Sequence, residues 1–326
     1  MTDKRLEKLI AFVKSIISQD EIMLLPLNGD ASFRRYFRVE GRELIAVDAP
    51  PKTQKNKEFI QIDKALEESG VKVPHIIAYD LEEGFMLLED LGDITFDRVA
   101  VGDAMAGYYK KAVELLSRIL PCDRKLRELP VFDRDFMLFE MSLFETWMLN
   151  SRLSVTLDEN EKRILDEAYD YIITTIESIP YAAMHRDYHS RNLMLSSDEL
   201  AVIDFQDMVK GPVTYDLASI VYDCYINLDK SLCDSLLSLG YDNFKALGYL
   251  WDNLSLDDFK KYVSITSLQR HIKVLGIFCR LSIRDGKDGY LKDLPRVINY
   301  VLDECDCDPH FSKLKGIVEK YVAGRF

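Results

Sequence analysis

The sequence predicts an α+β protein with two lobes, a small antiparallel-sheet N-lobe and a large helical C-lobe. Up to about residue 92, short apolar runs alternate with turn residues, as in a sheet. Beyond that point, apolar residues recur at helical spacing in long segments. The chain has 326 residues, of which 48% are hydrophobic and 30% charged, enough for a full core and about two domains. We therefore expect a nucleotide-binding lobe over 1–92 and a catalytic and substrate lobe over 93–326.

The N-lobe is expected to hold one sheet and two helices. Apolar residues at three-and-four spacing predict the first helix, and Asn28-Gly29 is a strong turn signal between the first two strands. Gly70 is the expected residue at the end of the second helix. The predicted elements are a helix over 3–18, strands over 24–27, 33–39 and 43–47, a helix over 57–69, and strands over 76–80 and 84–89. This order gives a mostly antiparallel sheet with one helix inserted after the third strand.

The C-lobe is expected to be mainly helical. Its predicted helices are 101–119, 133–150, 158–177, 215–227, 229–238, 241–252, 257–280 and 295–302. The interval between the third and fourth of these helices contains the motifs that carry chemistry.

Composition excludes several classes of protein. The net charge of -13 argues against binding to nucleic acid or to an anionic membrane surface, since both need clustered Lys and Arg. No stretch approaches the roughly 20 apolar residues that span a bilayer, so we expect a cytoplasmic protein. The six cysteines are scattered, and the C-x-C pair Cys305 and Cys307 is too closely spaced for the usual zinc knuckle. Free thiols are the simpler interpretation.

The most informative stretch begins His185-Arg186-Asp187 and reaches Asn192 after four intervening residues, which gives the pattern H-R-D-x-x-x-x-N. A short hairpin and an apolar run ending at Asp204 follow. Phosphoryl transfer requires a carboxylate that orients and deprotonates the attacking hydroxyl, together with oxygen ligands for magnesium. Asp187 is the candidate base, and Asn192 and Asp204 are the candidate metal ligands. Polar residues after an apolar segment often form only a turn, but the combined pattern favours a kinase site.

Longer segments strengthen this hypothesis. The sequence resembles the aminoglycoside phosphotransferase and choline kinase branch of the protein-kinase-like fold, in which a histidine two residues after the base, here His189, is typical. It most resembles the bacterial cell-wall sugar kinases, which phosphorylate the anomeric hydroxyl of N-acetylmuramate and N-acetylglucosamine in peptidoglycan recycling. The segments that carry this resemblance are Gly29 to Phe37, Asp48 to Pro51, Leu88 to Asp93, Gly211-Pro212 with Tyr215 to Ser219, Gln269 to Phe278, and Arg284 to Lys287 with Tyr290 to Arg296.

The resemblance implies specific roles for these residues. ATP and Mg²⁺ would be the cofactors and an amino sugar the acceptor. The turn containing Gly29, Asp30 and Ser32 would cover the ATP phosphates, and the backbone at Glu89 and Leu91 would contact adenine. His189 would brace the catalytic loop. The acceptor would be met by residues chosen by position and by resemblance: Gln206, Asp207, Arg270, His271 and Arg284. A polar stripe on the surface of a helix is the competing interpretation of Arg270 and His271.

One departure from the wider fold is clear. Kinases usually place a lysine on the third strand, but Glu43 to Asp48 contains none. Another cation is expected to meet the phosphates, and the candidates are Arg34, Arg35, Lys52 and Lys55; folding roles for the two arginines are an open alternative. The missing lysine also leaves open a nucleotide-binding pseudokinase or scaffold. Among enzymes, the alternative is a kinase for an aminoglycoside, choline or homoserine.

Overall fold

The N-lobe contains a five-stranded sheet in the order β1-β2-β3-β5-β4. The computed structural model describes residues 3–19, 21–27 and 34–326. Every strand pairing in this sheet is antiparallel, which confirms the predicted sheet lobe. The strands are β1 (Leu24–Leu27), β2 (Arg35–Val39), β3 (Leu44–Asp48), β4 (Ile76–Asp80) and β5 (Phe85–Glu89).

Two helices pack on this sheet. Helix α1 (Lys4–Ile17) begins at Asp3, whose carboxylate accepts hydrogen bonds from the backbone N–H groups of Arg5 and Leu6. The apolar side of α1 packs with Phe37, Ala46 and Leu87 in one small core. Helix α2 (Asn56–Glu67) contributes Phe59 and Ile60 to a different core, which also contains Ile45 and Val47 of β3. Alternate residues of β3 therefore face α1 and α2.

The C-lobe is mostly helical, as predicted. Its helices are α3 (Phe96–Val99), α4 (Met105–Ile119), α5 (Arg134–Leu143), α6 (Glu159–Glu177), α7 (Tyr215–Val221), α8 (Lys230–Ala246), α9 (Leu256–Asp285), α10 (Leu294–Cys305) and α11 (Ser312–Tyr321). Helix α5 continues as a π-helical segment over Phe144–Arg152. Two antiparallel strand pairs lie between α6 and α7, β6 (Tyr181–Met184) with β9 (Val209–Pro212), and β7 (Leu193–Ser196) with β8 (Glu199–Val202).

Helix α9 forms the centre of this lobe. It has 30 residues, begins at the N-cap Ser255 and ends at Gly286, whose φ of 67° lies in the left-handed region that favours glycine. Gly276 allows close contact with the end of α5, because a Cβ there would lie 2.3 Å from the backbone carbonyl carbon of Leu143. Neighbouring helices thus enclose α9 on most sides, and polar residues in its middle are buried.

The main differences from the sequence prediction concern three helices. The expected break near Gly240 is absent, because α8 runs through it, and a Cβ at this glycine would meet Leu217 Cδ2 at 2.6 Å. Gly240 therefore permits close helix packing. Helix α7 ends at Val221, well before residue 227, and α11 was not predicted.

The two parts of the chain share a hydrophobic core. The ring of Phe59 in α2 lies 4.8 Å, centroid to centroid, from the ring of Phe205, which follows Asp204. The same core contains residues of β3 and of α4. Among the described residues, no helix combines the length and apolar character needed to span a membrane.

Candidate active site

The loop after β6 is fixed by one buried carboxylate. Asp216, at the start of α7, accepts hydrogen bonds from the backbone N–H groups of His185, at 2.6 Å, and Arg186, at 3.0 Å. Burial raises the pKa of Asp216 to about 6. Arg186 has a φ of 77°, an uncommon value for a residue other than glycine. The two hydrogen bonds hold this strained turn, and the next residue is Asp187.

His185 connects the loop to the neighbouring strand pair. The ring is 1% exposed, and its Nε2 donates to the carbonyl oxygen of Ile203 at 3.0 Å. Ile203 in turn donates its backbone N–H to the carbonyl oxygen of Asn192 at 3.1 Å. The structure thus brings Asn192 and Asp204 to the same end of the β7–β8 hairpin, next to Asp187.

Asp187 is a partly buried carboxylate in a positive environment. Its carboxylate oxygens accept no hydrogen bond from the described residues, so they remain available to a ligand. Burial acts to raise the pKa of Asp187, but the neighbouring positive charges, chiefly that of Lys273, oppose it and the pKa falls to about 2. The group is therefore ionised at neutral pH, as a base that receives a hydroxyl proton must be.

Asn192 and Asp204 present the oxygen ligands that magnesium prefers. The Nδ2 of Asn192 donates to the Asp187 carbonyl oxygen at 2.9 Å, which leaves its Oδ1 for a metal. Asp204 is exposed, has a φ of 63°, and accepts a 2.8 Å hydrogen bond from Gln206 Nε2. The described residues contain no cluster of three or more His, Cys, Asp or Glu suited to a metal. One amide and one carboxylate fit a magnesium ion that takes its remaining ligands from phosphates and water.

His189 packs within the loop. Its ring makes an edge contact with Tyr225, with centroids 5.2 Å apart, and the following amide, of Ser190, donates to Asp223 at 2.8 Å. Burial lowers the pKa of His189, so the ring is neutral near pH 7. Its Nδ1 is buried and has no hydrogen-bond partner among the described residues. The ring packing is consistent with a bracing role.

Arg34 connects the N-lobe to the candidate metal site. The predicted phosphate turn with Gly29, Asp30 and Ser32 lies outside the described residues. Arg34 immediately follows it, is 5% exposed, and places its guanidinium 4.8 Å from the centroid of the Phe59 ring. Its NH1 donates to Gln206 Oε1 at 3.3 Å, while Gln206 also contacts Asp204. Arg34 therefore lies next to the candidate metal ligand Asp204, to which Gln206 connects it.

The other candidate cations lie elsewhere. Arg35 points to the α1 side of the sheet, where its Nε donates to Asp48 Oδ2 at 3.0 Å. Lys55 Nζ pairs with Asp207 Oδ1 at 2.7 Å, so this salt bridge occupies the Asp207 carboxylate as well. Lys52 is exposed in the turn after β3. Of the four candidates, Arg34 is the one whose side chain contacts a neighbour of the candidate metal ligand Asp204.

The segment joining the lobes has partly free backbone groups. The N–H of Glu89 donates to the His75 carbonyl oxygen at 2.9 Å, so this donor is not available to adenine. The side chain of Glu89 meets Lys72 at 3.3 Å. Leu91 is buried, and no described residue hydrogen-bonds to its backbone N–H or carbonyl. The geometry thus favours Leu91 over the Glu89 amide as an adenine contact.

The five candidate acceptor residues fall into two groups, those near the candidate base or metal ligand and those whose surroundings do not favour contact with the acceptor. Gln206 and Asp207 lie beside Asp204, as described above. Arg270 is 3% exposed and is an electrostatic neighbour of Asp187. His271 is 0% exposed, with Nδ1 donating to Glu304 at 2.9 Å and Nε2 donating to a backbone carbonyl at 3.0 Å. Arg284 is exposed near the end of α9 and pairs with Asp285 at 2.7 Å. The structure does not support direct acceptor contact by His271 or Arg284.

Two residues next to the base were missed from the sequence. Lys273 is 5% exposed, and its Nζ lies 3.1 Å from Glu140 Oε1. Burial acts to lower the pKa of Lys273, but Glu140, Tyr215 and Asp187 together raise it. Glu140 also pairs with Arg186 at 2.9 Å. The signal that could have identified Lys273 in the sequence is its position three residues after Arg270, on the same face of the predicted helix.

The fold and this loop define a small-molecule kinase of the protein-kinase-like class. The chain belongs to the phosphotransferase enzyme family (APH), whose model matches residues 24–243. The solved structures that it resembles include a choline/ethanolamine kinase family protein from Mesorhizobium loti, with a TM-score of 0.62 and 14% identity over 97% of this chain and 99% of that one. ADP-bound aminoglycoside phosphotransferase APH(2'')-Ib has a TM-score of 0.59 and 12% identity, covering 90% of this chain and 97% of that one. These likenesses confirm the predicted fold.

Relatives with higher identity extend over most of the chain. A Pseudomonas putida protein named N-acetylmuramate/N-acetylglucosamine kinase is 34% identical, covering 92% of this chain and 89% of that protein. A Neisseria meningitidis serogroup B protein with the same name is 31% identical, covering 90% of this chain and 89% of that protein. The resemblance to sugar kinases inferred from individual segments is thus confirmed along the chain.

Proposed function

We propose that this enzyme transfers the γ-phosphate of ATP to the anomeric hydroxyl of N-acetylmuramate and N-acetylglucosamine, as a step of cell-wall recycling. The observation that carries the proposal is the similarity to relatives of that name over 92% of this chain. The arrangement of Asp187, Asn192 and Asp204 supports it independently, because it would supply a base and two metal ligands at one end of the β7–β8 hairpin. A chain with these groups in place is better explained as an enzyme than as a scaffold.

Each of the candidate site residues would have a distinct chemical role. Magnesium, when bound with ATP, neutralises charge on the phosphates, and Asn192 Oδ1 and the Asp204 carboxylate would hold it. Asp187 would accept a hydrogen bond from the acceptor hydroxyl, orient its oxygen and take its proton as the new P–O bond forms. Arg34 would place a positive charge beside the phosphates, and Leu91 would contact adenine. Such catalysis depends mainly on positioning and charge stabilisation.

The same proposal covers the organisation of the chain. Residues 1–92 would form the nucleotide-binding lobe and residues 93–326 the catalytic and acceptor lobe, with the connection near Leu91. The described strands of the N-lobe sheet end at Glu89, and the long helices follow, which supports this division. We propose a cytoplasmic location, where ATP is available, and a small-molecule acceptor, with no nucleic acid or membrane partner.

The test is an assay of ADP release with ATP and magnesium, using N-acetylmuramate, N-acetylglucosamine, glucose, choline and kanamycin as separate acceptors. We expect turnover with the two N-acetylated sugars, and a phosphorus NMR signal for an anomeric phosphate. Asp187→Ala serves as the inactive control. Turnover restricted to choline or kanamycin would replace the proposed acceptor. Absence of turnover with every acceptor, at full ATP binding, would favour the scaffold instead.

A further inference from the structure

The segment that follows the candidate metal ligand Asp204 contacts the N-lobe at three consecutive residues. The contacts are Phe205 with Phe59, 4.8 Å between ring centroids, Gln206 with Arg34, 3.3 Å, and Asp207 with Lys55, 2.7 Å. Of the three side chains in this segment, Gln206 is the one that also hydrogen-bonds to Asp204. Asp204 has a φ of 63°, which is uncommon outside glycine, so its conformation depends on the contacts around it.

Gln206 connects a carboxylate and a cation through the two ends of one amide. Its Nε2 donates to Asp204 Oδ1 at 2.8 Å, and its Oε1 accepts from Arg34 NH1 at 3.3 Å. The orientation of the amide follows from its partners, because a carboxylate only accepts hydrogen bonds and a guanidinium only donates them. A flipped amide would oppose acceptor to acceptor and donor to donor. Gln206 therefore fits this pair of partners in one orientation.

Arg34 is held in place at the N-lobe end of this connection. Its side chain is 5% exposed, and its guanidinium lies 4.8 Å from the centroid of the Phe59 ring in α2. The next residue begins β2, so the sheet holds the backbone of Arg34 as well. The positive charge of Arg34 is therefore fixed one amide away from the Asp204 carboxylate.

The connection leaves part of the Asp204 carboxylate for a metal. Gln206 binds Oδ1, and Oδ2 accepts no hydrogen bond from any residue that the structure describes. A neutral amide also differs from a lysine or arginine at this position, because a full positive charge would compete with a metal ion for the carboxylate. The position of Gln206 thus allows it to orient Asp204 without displacing a metal.

We propose that Gln206 is a positioning residue that couples magnesium binding at Asp204 to nucleotide binding by the N-lobe. This inference rests on the proposed function, because it takes ATP and magnesium as ligands of this site. Phosphates bound beside Arg34 hold its guanidinium, and the guanidinium holds Gln206, which orients Asp204. Each ligand therefore favours the other, and the effect is reciprocal. This role differs from direct contact with the acceptor, for which Gln206 was a candidate from the sequence.

The experiment measures ATP binding by titration calorimetry without acceptor, once with saturating magnesium and once with EDTA. The ratio of the two affinities is the coupling between magnesium and ATP. Gln206→Met keeps the length of the side chain and removes both hydrogen bonds. We expect a coupling about tenfold smaller than that of the wild type, the usual effect of a hydrogen bond to a charged group, with the affinity in EDTA within about threefold of the wild type.

Kinetics give a second measurement that separates positioning from acceptor contact. In Gln206→Met, the magnesium concentration for half-maximal turnover with N-acetylglucosamine should rise by about tenfold, because magnesium binds a less well oriented ligand. The KM for the sugar should stay at its wild-type value. A residue that contacts the acceptor would instead raise the KM for the sugar and leave the magnesium dependence unchanged, and that result would overturn the inference.

Controls separate positioning from general damage. Gln61→Met makes the same chemical change at an exposed position of α2 and should keep the wild-type coupling. If Gln206→Met does not fold by circular dichroism, Gln206→Asn decides, because its side chain is one methylene too short to reach both partners. Wild-type coupling in the folded Gln206 variants would overturn this inference and leave the proposed function standing. A wild type whose ATP affinity does not change with magnesium would also overturn it, and failure to phosphorylate the N-acetylated sugars would overturn the proposed function as well.

Discussion

The carboxylate of Glu140 lies 3.1 Å from Nζ of Lys273, and both side chains are almost completely buried. Glu140 also pairs with Arg186, the residue before the base, at 2.9 Å. One buried anion therefore joins two cations, and their excess positive charge faces Asp187. Removing one member of such a group leaves an uncompensated charge in the protein interior. The group connects α5, α9 and the catalytic loop, so it links the position of the base to the helical core.

Lys273→Met should lower kcat without a matching change in the KM for ATP. The substitution keeps the length of the side chain and removes the charge that most strongly favours the ionised form of Asp187. We expect a loss in kcat of about 10- to 100-fold, typical for one preorganised electrostatic contact. Steady-state kinetics with both substrates measures it. Lys260→Met, on the same helix but exposed in part and paired with Asp234, is the matched control. Equal kcat values in the two variants would contradict the role of Lys273.

Asp187→Asn and Asp204→Asn should fail in different ways. Asp187→Asn removes the base but leaves the backbone carbonyl that Asn192 contacts, so nucleotide binding should persist while kcat falls by about 10³-fold. Asp204→Asn removes a metal ligand, so the affinity for magnesium and ATP should also fall. Calorimetric titration with ATP, with and without magnesium, separates the two. A magnesium-dependent ATP affinity in Asp204→Asn equal to that of the wild type would exclude Asp204 as a ligand.

A buried acid in α2 should make stability depend on pH. Asp63 is 1% exposed, and neither carboxylate oxygen has a hydrogen-bond partner among the described residues. Burial raises its pKa to about 8. The folded state therefore binds a proton that the unfolded state loses near pH 4, so stability falls as pH rises from about 4 to about 8 and then levels off. In the described structure, no hydrogen bond to the Asp63 carboxylate offsets this loss of stability.

Asp63→Asn should therefore stabilise the protein at neutral and alkaline pH. The difference in unfolding free energy from the wild type should be small near pH 4, grow as pH rises, and reach a plateau on the order of 5 kcal/mol above pH 8. Urea unfolding at a series of pH values measures it. Asp166→Asn, at an exposed position of α6, is the control and should show no such growth. A stability difference that stays constant across this range would show that Asp63 is not protonated on folding.

The sequence predicted the lobes and the central motif for clear physical reasons. Strand and helix periodicities identify elements directly, and the β7–β8 hairpin brings Asn192 and Asp204 together by local pairing. Contacts between distant segments were not predictable in this way. Glu140 and Lys273 are far apart in the chain and look like ordinary exposed charges. Glycine in a helical pattern can indicate either the end of a helix or a close contact between helices. Gly240 is of the second kind, which becomes clear only from its packing against Leu217.

His271 shows the same limit, and its burial leads to a further prediction. His271 was a candidate acceptor contact by position and by resemblance, but helices enclose α9 and both ring nitrogens donate within the protein. Burial alone would lower the pKa of His271, but Glu304 and Cys224 outweigh it and raise the pKa to about 9. The charged pair therefore contributes stability that is fully present below about pH 6.5 and is lost as pH rises through about 9.

His271→Gln should thus cost more stability at pH 6 than at pH 10. Glutamine retains a donor for Glu304 but no positive charge, so the buried carboxylate loses its counterion. Melting temperatures measured by circular dichroism between pH 6 and pH 10 should converge with those of the wild type at the alkaline end. The KM for N-acetylmuramate in the acceptor assay should stay at its wild-type value. If that KM rises in His271→Gln while the melting temperature is unchanged at every pH, the residue contacts the acceptor and the structural assignment fails.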